Sequence, residues 1–144
     1  MRIEESVQIN RPVEEVYEYV ANPENLPEWA GTVIETRKET PGPLLEGSTF
    51  TSVAKFLGRR AESSFEVTAH ESPLLHSHKS TGGPFPLEWI LTFEEVAGGT
   101  RYTQVAEGEP GGFFGLVGPL LERVGRRQLR TDLENLKDLL EARG

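Results

Sequence analysis

The sequence has no cysteine and a single methionine. Disulfides, thiolate metal sites and a cysteine nucleophile are therefore excluded. Long apolar runs are absent too. Nothing approaches the roughly 20 residues of a membrane span, and the opening MRIEESVQIN lacks the apolar core of a secretory signal, so a cytoplasmic location and no membrane segment are expected. Positive charge is scarce: 15 Lys and Arg stand against 23 Asp and Glu, a net charge of −8. Phosphate binding is dominated by positive charge, so neither nucleic acid nor an anionic bilayer is expected as a partner. Catalytic signatures are missing as well. Ser48, Ser52, Ser63, Ser64, Ser77 and Ser80 occur without a G-x-S-x-G elbow. There is no P-loop and no dinucleotide fingerprint, and GGPFP at 82–86 reads as a turn, not a phosphate cradle.

What remains is ordinary for a globular chain. With 144 residues, 36% of them hydrophobic and 26% charged, the protein has the size of one self-sufficient domain with a single core. Residues 2–10 alternate, with Ile3, Glu5, Val7 and Ile9 on one face, which predicts a half-buried strand; the out-of-pattern Glu5 suggests an exposed start. A helix follows from Asn10 or Arg11, with Pro12 in its first turn and Val13, Val16, Tyr17 and Val20 as its stripe. Asn22 and Pro23 stop it, and Asn25 and Leu26 offer a second short helix before Pro27. From Thr32 to Glu107, turn residues at 41–43, 47, 58, 72–73, 82–84 and 98–99 divide a β-type pattern. Strands are predicted at about 32–39, 47–57, 60–71, 74–82, 86–96 and 100–108, joined as an antiparallel meander. The last 30 or so residues read as one long helix.

His70, His76 and His78 are the only histidines. His76 and His78 share a strand face, and a hairpin at Ser72 and Pro73 would bring His70 onto the neighbouring strand. Such a set could be an exposed or hydrogen-bonded group, a general acid or base in a pocket, or a metal site. No Asp or Glu stands at obvious ligand spacing, and no metal is expected. Trp29, Phe50, Phe56, Phe65, Trp89, Phe93, Tyr102, Phe113 and Phe114 could line an apolar pocket or simply fill a core. Tyr102 and Gln104 share a face with Ala106, Ser52 shares one with Phe50 and Ala54, and Leu87, Trp89, Leu91 and Phe93 share another. Arg123, Arg126, Arg127 and Arg130 recur at helical spacing; pairs Arg130–Glu134 and Lys137–Glu141 are available on that solvated face.

The order strand, two short helices, six strands, long helix leaves only the terminal helix to cover the sheet. The segments INRPVEEVYEYVANPENLPEW at 9–29, FEVTAHESP at 65–73 and GGTRYTQVAEGEPGGFFG at 98–115 resemble the START/SRPBCC superfamily, most closely its polyketide cyclase/dehydrase branch. The resemblance covers essentially the whole chain. It implies an α+β helix-grip fold, in which a curved antiparallel sheet of about seven strands wraps a long C-terminal helix and leaves a cavity between them. It implies no metal and no cofactor.

That fold bears on EPGGFFGLVGPLLERVGRR at 109–127, an apolar helical stripe interrupted by glycines and a proline. An interior Gly costs about 1 kcal/mol relative to Ala and an interior Pro about 3 kcal/mol. At about 100° per residue, Phe113, Val117, Leu120, Leu121 and Val124 fall within a sector of about 80°, a sheet-facing stripe. Leu129, Leu133, Leu136 and Leu140 centre about 120° to 130° away by the same count. A bend or register break is therefore expected at Gly115, Gly118 and Pro119, or at Gly125. A break before Gln128 would turn Gln128 and Asp132 to solvent, whereas a straight helix would leave Asp132 a semi-buried carboxylate.

The expected function is binding or transport of a small hydrophobic molecule, a lipid, isoprenoid or aromatic polyketide-like compound, between sheet and helix. The expected contacts are Trp29, Phe50, Phe65, His76, His78, Trp89, Leu91, Tyr102, Gln104, Phe113, Val117, Leu120, Leu121 and Val124. Two alternatives stay open: a cyclase or aromatase in which a His or Tyr moves protons, and a protein-interaction domain. A homodimer is compatible with either.

Overall fold

The computed structural model describes residues 2–56, 58–83, 86–108 and 113–143; the side chains of residues 56, 113–117 and 121 lie outside that description. Strand β1 (Arg2–Ile9) leads into helix α1 (Val13–Ala21), a single 3-10 turn (Pro23–Asn25) and the short helix α2 (Leu26–Trp29). Six strands follow: β2 (Val33–Lys38), β3 (Thr49–Phe56), β4 (Arg59–Glu71), β5 (Leu75–Gly82), β6 (Glu88–Val96) and β7 (Gly99–Glu107). Helix α3 (Phe113–Glu141) closes the chain. The strands form one antiparallel sheet in the order β1-β7-β6-β5-β4-β3-β2, so β1 pairs with the last strand and the meander runs away from it.

Local chemistry explains these boundaries. Pro12 caps α1 from outside, where its missing N–H is no loss, and Glu14 and Glu15 favour the positive end of the helix dipole. Asn22 ends α1 in extended geometry, and its side chain accepts the Glu24 N–H at 3.1 Å. Pro27 sits inside the first turn of α2 rather than ending the preceding helix, a small departure from the sequence expectation.

Register fixes the inner face. One row across five strands is Ile3, Ala106, Trp89, His78 and Val67; the next is Glu5, Gln104, Leu91, His76 and His70; a third is Val7, Tyr102 and Phe93. On the far strands Phe50 pairs with Phe65 and Ser52 with Ser63 on the same face. Both mixed faces raised by the sequence, Tyr102–Gln104–Ala106 and Phe50–Ser52–Ala54, thus point inward.

Two apolar clusters occupy that interior. The larger joins Val13, Val16, Tyr17 and Val20 of α1 to Phe93 and Tyr102 and to Leu133, Leu136 and Leu140 of α3. The smaller is Phe50, Phe65 and Val67, and Trp89 packs against both. Each fully buried leucine contributes about 1.5–3 kcal/mol relative to exposure, so Leu133, Leu136 and Leu140 anchor the C-terminal half of α3.

Helix α3 departs from expectation. It is one helix from Phe113 to Glu141 with Pro119 inside it and no register break. Asp132 is accordingly buried, the outcome tied to an unbroken helix. Both directions of the helix find cover because α3 lies along β1 on one side and against α2 on the other. Glu5 is not an exposed start either: its carboxylate, only 15% exposed, lies under α3, 2.9 Å from Arg130 and 3.7 Å from Arg126. Arg130 therefore pairs with Glu5 and not with Glu134, whereas Lys137 pairs with Glu141 at 2.6 Å as the spacing predicts.

Candidate functional site

The concave face carries the residues capable of holding a guest, and its rows decide which come together. The hairpin between β4 and β5 places His70 opposite His76, and alternation on β5 puts His78 two residues on, pointing the same way. His70 Nδ1 and His76 Nδ1 are 3.0 Å apart, so a single proton is held between two ring nitrogens. Tyr17 of α1 completes this chain: its hydroxyl donates to the Leu75 carbonyl at 2.9 Å and lies 3.1 Å from His70 Nδ1. Tyr17 was read from the sequence only as part of a helix stripe. Its aromatic type fitted core, and only the fold shows that its hydroxyl reaches the histidines.

His78 lies among the aromatic rings of the inner face. Its ring stands nearly perpendicular to Phe50 and Phe65, 5.1 and 5.2 Å away, while those two rings stack on each other at 5.3 Å. Burial, followed by the neighbouring His76, pushes its pKa down to about 3; burial and then His70 push His76 down to about 4. His70, nearer the surface, is also lowered by burial. All three are neutral near pH 7. Imidazoles with so little basicity are poorly matched to acid–base catalysis at neutral pH, where the best catalytic pKa lies close to the working pH. They remain competent as uncharged donors and acceptors.

Other polar groups share the face. Tyr102 Oη donates to Gln104 Oε1 at 2.6 Å, and burial raises the tyrosine pKa well above its ordinary value. At the α2–α3 junction, Asp132 Oδ1 accepts the Gly31 N–H at 2.9 Å and Gln128 Nε2 at 2.8 Å. Burial raises the Asp132 pKa, partly offset by those two hydrogen bonds. The fit at Gly31 is close, since a Cβ would lie 3.0 Å from Gln128 Nε2 and 3.4 Å from Asp132 Oδ1.

Among the described residues, three buried polar atoms have no hydrogen-bond partner: Tyr19 Oη, Trp29 Nε1 and His78 Nδ1. Tyr19 lies on α1 beneath the Arg143 guanidinium, 4.9 Å from its ring, beside a surface cleft of about 250 Å³. Trp29 and His78 belong to the interior. An unpaired buried donor costs about 1–3 kcal/mol, so each such atom calls for an explanation.

The expected contact residues divide three ways. Trp29, Phe50, Phe65, His76, Leu91, Tyr102 and Gln104 are buried, and the inward-pointing His78 and Trp89 keep part of their surface accessible, as do Val33 and Ala54 on β2 and β3. Val124 is half-buried, but Leu120 is 62% exposed, off the sheet-facing side on which the stripe count put it. The side chains of Phe113, Val117 and Leu121 lie outside the described residues. Among the described residues no group of three or more His, Cys, Asp or Glu could hold a metal ion. No helix among them is long and apolar enough to cross a membrane.

Comparison with known proteins places this geometry. A family model described as polyketide cyclase / dehydrase and lipid transport matches residues 1–141. Among solved structures, TTHA0849 from Thermus thermophilus superposes with a TM-score of 0.86 at 20% identity, over 100% of this chain and 99% of that one. NE0264 from Nitrosomonas europaea gives 0.75 at 18% identity, over 100% and 96%. A START superfamily protein from Mycobacterium smegmatis gives 0.73 at 15% identity, over 99% and 95%. None of the curated proteins matches the sequence. At these identities the structures establish the fold alone, the helix-grip arrangement of a curled sheet and a long terminal helix.

Proposed function

Because the chain belongs to the polyketide cyclase/dehydrase and lipid transport family, we propose that it binds a small hydrophobic molecule between the inner face of the sheet and α3. The observation that carries this reading is the accessible surface left on inward-pointing side chains. Val33, Ala54, His78 and Trp89 face the helix side of the sheet, yet none is fully buried. In a solid core, residues at such positions would be closed off by their neighbours. Around them stand the stacked Phe50 and Phe65 and the indole of Trp29, an apolar lining with few polar groups, as in sites for small apolar ligands.

The guest is a lipid, isoprenoid or aromatic polyketide-like compound, and the protein acts as its carrier or receptor. Carriage fits the site better than catalysis, since its histidines are neutral and weakly basic. The contacts are those of the inner face, with Trp89 at the centre because it touches both apolar clusters.

Native mass spectrometry of the protein purified from its own host is the direct test, the expected result being a co-purifying molecule of low mass. Equilibrium dialysis against the neutral hydrophobe N-phenyl-1-naphthylamine complements it. Saturable one-to-one uptake, lowered by Ala54→Trp, is expected; absence of uptake by the folded protein overturns the reading.

A further inference from the structure

The inner face is selective about charge as well as apolar, and this rests on the binding reading above. Two buried atoms there have no partner, Trp29 Nε1 and His78 Nδ1. The indole nitrogen can only donate, while a neutral imidazole nitrogen donates or accepts according to tautomer. Gln104, on the same face, accepts the Tyr102 hydroxyl at its Oε1. These groups are all uncharged.

The carboxylates of the same interior are already partnered. Glu5 shares the row of Gln104 and is bound by Arg130 and Arg126; Asp132 takes up Gly31 and Gln128. The cations at inward register positions belong to the far strands: Lys38, whose Nζ is bonded to the Gly42 carbonyl at 2.7 Å, and the exposed Arg59. A carboxylate or phosphate carried into this space would find, among the described residues, no buried cation without a partner. A buried charge without a partner is disfavoured far more strongly than a buried hydroxyl with one.

We propose that the guest is an uncharged amphipathic molecule, carrying hydroxyl or carbonyl oxygen that pairs with the Trp29 N–H or with His78 Nδ1, and that fatty-acid-type carboxylates and phosphorylated lipids are rejected. The His78 ring stays unprotonated well below neutral pH, in keeping with this, and so presents no positive charge to an anion.

The test is isothermal titration of the full-length protein at pH 7.5 with three molecules of one shape: naphthalene, 2-naphthol and 2-naphthoate. One net hydrogen bond corresponds to roughly a two- to tenfold gain, so 2-naphthol is expected to bind tighter than naphthalene by about that factor. It should exceed 2-naphthoate by more than about tenfold. His78→Phe, which matches the surrounding rings, and Trp29→Phe, which removes the N–H, are each read by the ratio of naphthol to naphthalene affinity within the same variant, so that a general loss of binding cancels. In at least one of them the naphthol preference falls to near unity. Equal affinity for naphthol and naphthalene, or a preference unchanged in both folded variants, overturns the proposal and leaves water as the partner of those atoms, with the binding reading intact. Naphthoate binding as tightly as naphthol overturns it equally. If none of the three binds and N-phenyl-1-naphthylamine is not taken up, the binding reading itself falls.

Discussion

The two halves of α3 share one helix and differ in almost everything else. From Leu129 onward the helix leucines are buried, and Leu133, Leu136 and Leu140 are sealed against α1 and the sheet. The last turns are also tied to β1, with Lys137 donating to the Gln8 carbonyl and Glu141 accepting the Asn10 N–H. In the first half, Leu120 stands exposed and a Cβ on Gly118 would meet nothing within 4 Å. Gly125 marks the change, since a Cβ there would come within 3.1 Å of Ile3 Cδ1 on β1. The comparison separates glycines of two kinds. Gly125 lets helix and strand approach, and Gly118 answers to no packing demand among the described residues. Among the described residues, the C-terminal half is the part of α3 seen to anchor the fold.

Four outcomes would break or sharpen that contrast. Leu136→Ala removes a fully buried anchor and should destabilise the protein by about 2–5 kcal/mol in urea denaturation, against less than about 0.5 kcal/mol for Leu120→Ala; similar losses would erase the distinction.

Acid should act on the anchored side of the sheet next. The folded pKa values of His76 and His78 lie below the unfolded value near 6.5, so the unfolded chain binds protons first. Their contribution is intact above about pH 6.5 and is lost as pH falls toward about 4, by roughly 3 kcal/mol for His76 alone. Asp132, with its raised pKa, works in the opposite direction at the carboxylate end of the range. Thermal melts of the wild type and His76→Gln between pH 7 and 5, each repeated with Asp132→Asn, should show a shallower acid slope without His76; identical slopes would contradict its burial as a neutral ring.

The Glu5 clamp ranks third. Glu5→Gln should weaken the seating of α3 on β1 by about 1 kcal/mol, a modest figure because Arg126 and Arg130 are themselves partly exposed. High salt should shrink the difference between the two proteins.

The smallest effect is a pair of glycine substitutions. Gly118→Ala should gain about 0.5–1 kcal/mol from helix propensity, and Gly125→Ala less than that because Ile3 must shift. A larger gain at Gly125 would mean the close approach to β1 is not tight.

The sheet was legible in the sequence almost strand by strand, because period-two alternation and Gly or Pro at each turn are local signals. Leu87, Trp89, Leu91 and Phe93 show why: one strand buried on a single face displays its own geometry. The long helix was legible in extent but not in course. Counting angles treats a helix as if it met one flat partner, whereas α3 is covered by β1 on one side and α2 on the other, so Asp132 could be buried without a break. Glu5 was misjudged for the same reason, since its arginine partners lie more than a hundred residues away. At the site, alternation paired His76 with His78 and the hairpin added His70, but the Tyr17 hydroxyl joins them only through the packing of α1 on the sheet. Nothing in a sequence pattern marks which buried nitrogens will lack a partner.

Trp29 and Trp89, the chain's only tryptophans, both lie within the grip. Intrinsic ultraviolet emission is therefore blind to the outer surface and sensitive to the space between sheet and helix. A molecule arriving there announces itself by a change of colour or intensity, with no label attached.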